Sequence, residues 1–412
     1  MNNNQDASKL LQSLGDLQTI RKQAKRMLAL ARQNKLIYFS FVEERMPAAV
    51  DYILQVIYDQ YPDLVIPYHS RWRHFEVGGI DRLQTMRATL NLLPQEEQGK
   101  ILYELVIISV LLDAGAGKHW HYREASTGHE YSRSEGLAIA SLSLYLNGIF
   151  SAKPSEPWRV DASQLLTFNK DTFIKGFQVN AENPLEGVEG RVALLNRLGA
   201  VVNKYPQYFG KEGRLGHFYS YILRLKDNHC ISVRRIFQAV LTVFTEIWPE
   251  RLRYEGTPLG DVWIHSALKN DELGSEWVPF HKLSQWLTYS LIEPLEQFGI
   301  KVTDVDELTG LPEYRNGGLL IDTGLLEVKD KHLLQQLQAP DSEMIVEWRA
   351  LTVAVLDELA EAIRHRLKMN AAELPLAKIL QGGTWEAGRR IAKQKRKEGT
   401  PPIQIVSDGT IF

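Results

Sequence analysis

Ile345, Trp348, Leu351, Val355, Leu359 and Ile363 recur at three- and four-residue steps between residues 341 and 369. A helix brings residues so spaced to one face, whereas a strand needs strict alternation. The same spacing runs through Leu10, Leu11, Leu14, Leu17, Ile20, Ala24, Met27, Leu28 and Ala31. It returns at 46–60, stopping before Pro62, and at 95–112, 137–146 and 218–250. Helices with apolar faces are stable only when those faces cover one another, so the pattern predicts a mainly α, multi-helix fold. Residues 299–306 and 319–322 read instead as short extended pieces, a minor β element near 300–325. The 412 residues suffice for a large core. Pro154 and Pro157 mark a surface loop between an N-terminal helical region, 1–150, and a second region, 151–412. The two are expected to form one compact unit with a site between them.

Composition removes several classes of function. The net charge is −2, without the basic surplus of a nucleic-acid binder. Cys230 is the only cysteine, so neither a disulfide framework nor a cysteine-based zinc site can form within the chain. The first residues, Met-Asn-Asn-Asn-Gln-Asp, lack an apolar signal region. No run approaches the ~18 apolar residues of a membrane span. The expectation is a cytoplasmic protein that engages neither membrane nor nucleic acid.

Polar and aromatic residues concentrate in a few stretches. In 256–296, turn formers Gly256, Pro258 and Gly260 precede Asp261, Trp263 and His265, and Pro279 precedes Phe280 and His281. Trp286, Tyr289 and Glu293 then share one helix face. Carboxylates, imidazoles and indoles mixed with apolar residues suit a concave binding site. Residues 67–79 gather His69, Arg71, Trp72, Arg73, His74 and Glu76. The arginines either fork onto a phosphate or carboxylate or form ion pairs at a helix start.

A third stretch runs Asp113-Ala-Gly-Ala-Gly-Lys-His-Trp-His-Tyr-Arg-Glu124. Gly115-Ala-Gly117-Lys118 lacks the spacing and the following Ser/Thr of a phosphate-binding loop. His119 and His121 could ligate a metal, but no nearby cluster supplies further ligands, so no metal or cofactor is expected. The reading favoured here is a loop that walls a pocket, with Trp120 stacking on a ligand. Leu185-x-Gly187-Val188-x-Gly190 before a helix has the form of a tight hairpin that exposes amides. The motifs 310–318 and 382–390 are rich in glycine, and the basic run 393–397 reads as a solvated face. The tail from Gly399 carries Ile403, Ile405, Val406, Ile411 and Phe412, and is expected to fold back on the body, either covering a hydrophobic groove or, in a sharper reading, bringing Asp408 to the pocket border.

Residues 71–79, 112–124, 184–191, 261–268 and 382–390 together resemble the uracil-catabolism (URC pathway) family of fungi and bacteria, whose members are sometimes labelled uracil phosphoribosyltransferases. The resemblance implies a pathway in which uracil is processed as a ribosylated compound, its ring is opened, and ribosylurea is split to urea and a ribose derivative. A weaker similarity links the 261–268 segment to queuosine 5′-phosphate salvage N-glycosidases, helical proteins related to DNA glycosylases. Asp261 matches the aspartate of their Asp-Tyr-Arg-Val-Pro-Gln motif, whereas Val262-Trp263 depart from its Tyr-Arg. The Gly187 hairpin agrees with a glycosylase-like helical core.

These resemblances imply a hydrolase that cleaves an N-ribosyl bond. Such a reaction develops oxocarbenium character that a carboxylate stabilises, and Asp261 is the candidate. His265, His119 or His281 could protonate the leaving urea. Arg73 or Lys118 could hold a 5′-phosphate, and Trp120 and Trp263 could enclose the planar group. Asp113, His121 and Tyr289 complete the expected lining. A non-catalytic ligand sensor of the same pathway is the alternative. A phosphoribosyltransferase is disfavoured because that fold needs a parallel sheet.

Overall fold

The computed structural model describes residues 2–249 and 251–406, with side chains from Ala7 onward. By contacts the chain divides into two units, each gathered from separated segments. The first is drawn from Met1–His69, Arg251–Gln285 and Asp304–Val406, and the second from Ser70–Glu250 and Trp286–Thr303. The fold is mainly helical, as the periodicity requires. Among the described residues strands pair only two at a time, and no helix is long and apolar enough to cross a membrane.

The first unit is built on the helix Glu343–Leu367, whose residues 344–356 are buried on every side. A helix enclosed all round is a core element. Leu17–Arg32 lies against it through Leu17, Ile20, Ala24, Met27, Leu28 and Ala31, the stripe read from sequence. Its polar edge is tied to the same partner, with Arg21 Nε 2.9 Å from Asp357 and Arg32 2.9 Å from Glu358. The same helix fixes a hairpin, Val262–Ile264 against Trp277–Pro279. Gln23 donates to the carbonyls of Ser275 (3.0 Å) and Trp277 (2.6 Å), and Arg26 to that of Leu268 (2.6 Å).

The two extended pieces expected near 300–325 have different outcomes. Lys301–Thr303 is a strand, paired in parallel with Cys230–Ser232 in the second unit. Residues 319–322 lie instead in the helix Tyr314–Asp322. Glu313 caps that helix by accepting from the amides of Arg315 and Asn316. Four residues are too few to reveal a helical period, so the sequence read them as strand. Residues 71–75, read as part of a loop, form a short helix, Arg71–Phe75. Toward the C-terminus Ile403 is buried and Gln404–Ile405 pairs in parallel with Leu337–Gln338, both within the first unit. Asp408, Ile411 and Phe412 lie outside the described residues.

The second unit centres on Gln95–Leu111, with 101–111 buried throughout. One charge sits in that apolar run. Glu104 is fully buried, and its oxygens meet Arg214 at 3.0 and 2.9 Å while accepting from the amides of Val160 and Gly216, each at 3.0 Å. Arg191, also fully buried, donates to the carbonyls of Leu112 (3.3 Å), Ala114 (2.7 Å) and Gly115 (2.9 Å). It thereby holds the glycine-rich loop that follows the central helix. Gly187, with φ +69°, turns the chain into the helix Val188–Lys204, as the hairpin motif anticipates.

Removing one member of a buried pair strands the other charge, at about 3–5 kcal/mol. Glu104→Ala should therefore lower the unfolding free energy by about that amount, measured by urea denaturation followed by circular dichroism. A loss below about 1 kcal/mol, typical of an exposed pair, would contradict the burial described.

Candidate functional site

Asp261 is the residue around which the first unit's polar interior is assembled. Gly260, with φ +69°, turns the chain into the hairpin and Asp261 precedes its first strand. Its carboxylate accepts four hydrogen bonds. Arg349 approaches end-on, Nη1 to Oδ1 and Nη2 to Oδ2, each 2.8 Å. Trp263 Nε1 reaches Oδ1 at 2.6 Å, and the Lys282 amide reaches Oδ2 at 2.9 Å. Asp261 thus caps the helix Lys282–Gln297 and lies at its positive end. Its own carbonyl accepts from the amides of Phe280 (2.9 Å) and His281 (3.3 Å).

Arg349 is supplied by the central helix and is 1% exposed, against 17% for Asp261. Its guanidinium lies 4.0 Å from the Phe280 ring centroid. Burial opposes ionisation of Asp261, but the charge and hydrogen bonds of Arg349, with those of Trp263 and Lys282, outweigh it and hold the carboxyl well below the usual carboxylate range. Asp261 therefore stays charged well below the pH at which an ordinary aspartate takes up a proton. A carboxylate with its lone pairs so engaged is a weak base and a weak nucleophile.

The histidines of this stretch are held differently. His281 takes a positive φ, +46°, which side chains other than glycine rarely adopt. Its Nε2 donates to the Leu14 carbonyl at 2.9 Å, and burial pushes its pKa down, against the pull of Asp261. His265 is fully buried. Its Nδ1 accepts from the Ala267 amide at 3.3 Å, which leaves the proton on Nε2, 3.3 Å from Glu347 Oε2. Glu347 in turn accepts from the amides of Phe39 (2.8 Å) and Tyr38 (3.3 Å). Trp263 is buried, with the Arg251 guanidinium 5.7 Å from its ring. Asp261, Trp263, His265 and His281 are thus gathered in the first unit.

The other expected residues belong to the second unit. Arg73 pairs with Glu293 at 2.7 Å and Glu76 at 3.4 Å, so it is engaged in ion pairs at a helix start. Asp113 is the buried counterion of Arg71, 3.0 Å away, and Arg71 Nε donates to Ser109 Oγ at 2.8 Å. Trp120 is fully enclosed and its indole donates to the Phe177 carbonyl at 2.9 Å. Tyr289 is likewise fully buried. Lys118, His119 and His121 are exposed. Among the described residues, no group of three or more His, Cys, Asp or Glu is disposed to hold a metal ion.

Sequence reading did not give Asp261 its partner in Arg349, and it passed over Glu347. The available signal was two charges, Glu347 and Arg349, inside the otherwise apolar run from Met344 to Leu356. Charges in a buried helix need partners, and each has one.

Residues 13–412 match the family described as a protein of unknown function, DUF1688, and the chain belongs to that family. It is 38% identical over 410 residues to Protein urg3 of Schizosaccharomyces pombe, covering 96% of this chain and 97% of the relative. It is 36% identical over 430 residues to Uracil catabolism protein 4 of Lachancea kluyveri, again covering 96% and 97%.

Burial also sets a pH dependence. His69 is enclosed in the first unit with Nδ1 2.9 Å from Gln381 Oε1, and burial lowers its pKa to about 4 despite that bond. The unfolded chain binds this proton near pH 6.5. The stabilisation is therefore complete above about 6.5 and declines as pH falls toward about 4. His281, also shifted down, adds to the same slope. Asp261, with its folded pKa below the unfolded ~3.9, contributes a constant amount across this window. Urea midpoints measured from pH 7 to 4.5 should fall, and His69→Gln should flatten the slope by up to about 1.4 kcal/mol per pH unit. An unchanged slope in the variant would show that His69 is not the group responsible.

Proposed function

We propose that the protein acts in uracil catabolism as an N-ribosyl hydrolase that splits ribosylurea, or its 5′-phosphate, into urea and ribose or ribose phosphate. The names of its relatives support the pathway, one of them being called a uracil catabolism protein. The observation that carries the reaction is the Asp261 carboxylate, kept ionised by Arg349 and fixed by Trp263 and the Lys282 amide. Cleavage breaks the bond between C1′ and the urea nitrogen, leaving its electron pair on nitrogen. Positive charge develops on the sugar, and an immobile carboxylate beside it lowers the barrier without reorganising. Water adds its oxygen to C1′, and one of its protons ends on the departing nitrogen. The saturated hydrogen bonding of Asp261 favours this electrostatic role over covalent attack. His281, whose amide bonds to Asp261 and whose backbone is strained, is the adjoining imidazole. His265, held by Glu347, positions the segment after the hairpin. The helical surroundings are compatible with a glycosylase-like core.

The same saturation supports a second reading, in which Asp261 is the linchpin of a ligand-binding protein without turnover. The older phosphoribosyltransferase label is not favoured, since the described strands form only two-stranded pairs.

The test incubates the purified protein with ribosylurea, its 5′-phosphate, uridine and UMP and measures urea, uracil and ribose released. Asp261→Asn alone strands the buried Arg349 charge and is expected to destabilise by about 3–5 kcal/mol, so it is not a clean probe. Asp261→Asn with Arg349→Met removes both charges. This double variant should recover most of that stability while losing turnover by at least about 100-fold. Urea release at the wild-type rate by the folded double variant would refute the role of Asp261. Absence of turnover on every compound by the wild type, with ribosylurea still bound, would favour the ligand-binding reading.

A further inference from the structure

The motifs 310–318 and 382–390 take no part in holding Asp261, yet the fold brings them together in the first unit. Gly388 makes the approach possible. A Cβ there would lie 2.3 Å from the Arg315 carbonyl oxygen, so only glycine lets the helices Tyr314–Asp322 and Trp385–Lys395 touch by their backbones. Thr384 Oγ1 donates to Asn316 Oδ1 at 2.8 Å and locks the contact. The turn Leu380–Thr384 is a π-helix, a wide and uncommon form that recurs at functional sites. It delivers Trp385 to a position 5.8 Å from the Arg315 guanidinium, which also lies 5.1 Å from the Tyr314 ring. Arg389 places a second guanidinium 5.9 Å from the same indole.

Arg315 is 5% exposed, and its Nε is buried without a hydrogen-bond partner. Among the described residues its guanidinium makes no hydrogen bond and no ion pair; it lies against the two rings. Aromatic faces return only a fraction of the hydration that a buried cation loses. Deprotonation offers no escape, because arginine stays charged. The neighbouring acid, Glu313, attracts the charge only at longer range and forms no ion pair with it. Its two oxygens accept from the Arg315 and Asn316 amides, each at 2.6 Å. Elsewhere in the fold Arg349, Arg214 and Arg71 each meet a carboxylate. Arg315 is built in the same way, on a fixed backbone between fixed rings, but among the described residues no carboxylate forms an ion pair with it.

We propose that Arg315, flanked by Tyr314 and Trp385, binds the phosphate of a phosphate monoester. A guanidinium with all its side-chain donors uncommitted matches the several terminal oxygens of such a group through forked hydrogen bonds. The dianion also suits a site with a second guanidinium on the same indole better than a singly charged carboxylate does. The assignment of chemical class rests on the N-ribosyl hydrolase reading: on that reading the monoester is the 5′-phosphate of the ribosyl substrate, and the phosphorylated form is the true one.

The test is binding, not turnover. Calorimetric titration and thermal melting of the full chain are run with ribose 5-phosphate, inorganic phosphate and ribose at matched ionic strength. Ribose 5-phosphate should bind saturably and raise the melting temperature, ribose should do neither, and inorganic phosphate should bind more weakly. Arg315→Met should weaken ribose 5-phosphate binding by at least about tenfold, while the unliganded protein melts no lower than wild type because an uncompensated charge has gone. Arg315→Lys keeps the charge but loses the fork, and should also bind more weakly, which serves if the methionine variant does not fold. No binding of ribose 5-phosphate by the wild type, or undiminished binding by either folded variant, would overturn the proposal. Inorganic phosphate binding as tightly as the monoester would overturn the monoester assignment. Because this readout is binding by the wild type and by the Arg315 variants, a failed turnover assay and a failed phosphate site are told apart.

Discussion

The polar interior of the first unit depends on a guanidinium that has to be neutralised in place. Arg349 projects from a helix buried on every side and is itself 1% exposed. A cation there is tolerable only with a close and well-oriented anion, and the end-on fork to Asp261 provides it. Much else follows from bringing that one carboxylate to that one position. The glycine turn at 260, the short hairpin, the positive φ of His281 and the start of the helix Lys282–Gln297 all meet at Asp261. The same demand holds the carboxyl in its charged form, well below the usual carboxylate range.

Both units answer buried charge in one way, with a planar arginine fork. Glu104 with Arg214 repeats in the second unit what Asp261 and Arg349 do in the first, while Arg71 meets Asp113 through Nη1 and turns its Nε to Ser109. Arg191 spends its donors on carbonyls rather than on an acid, and so shapes a loop. Against that background Arg315 stands apart, because among the described residues its guanidinium forms neither an ion pair nor a hydrogen bond to a carbonyl.

The helices were legible in the sequence because a long apolar stripe leaves little choice of structure. The stripe from Leu17 to Ala31 is the face that packs, and the run from Met344 to Leu356 is the core. The residues 319–322 were misread because a short apolar piece carries no period, and the deciding feature was a side-chain cap at Glu313. Asp261 and its Trp263 neighbour stood out as chemistry-bearing residues, but the meaning of Asp261 did not, since its partner Arg349 is 88 positions away. The same distance problem hid the meeting of Arg315 with Trp385. Local pattern records which residues a segment contains, and only the tertiary fold records which charges neutralise one another.

The discontinuous make-up of the first unit bears on how the chain is synthesised. Arg21 and Asp357 bond across 336 positions, and the apolar face of Leu17–Arg32 is covered by a helix that begins at Glu343. During translation that face emerges early and waits without its partner until most of the polypeptide has left the ribosome. Exposed apolar surface on a nascent chain invites aggregation and chaperone capture. Closing so large a loop is also entropically slow. The Asp261 carboxylate, fixed by Arg349 on the same late helix, is thus assembled only near the end of synthesis. Chains truncated before that point would hold Asp261, Trp263 and Lys282 but lack Arg349, and with it the geometry.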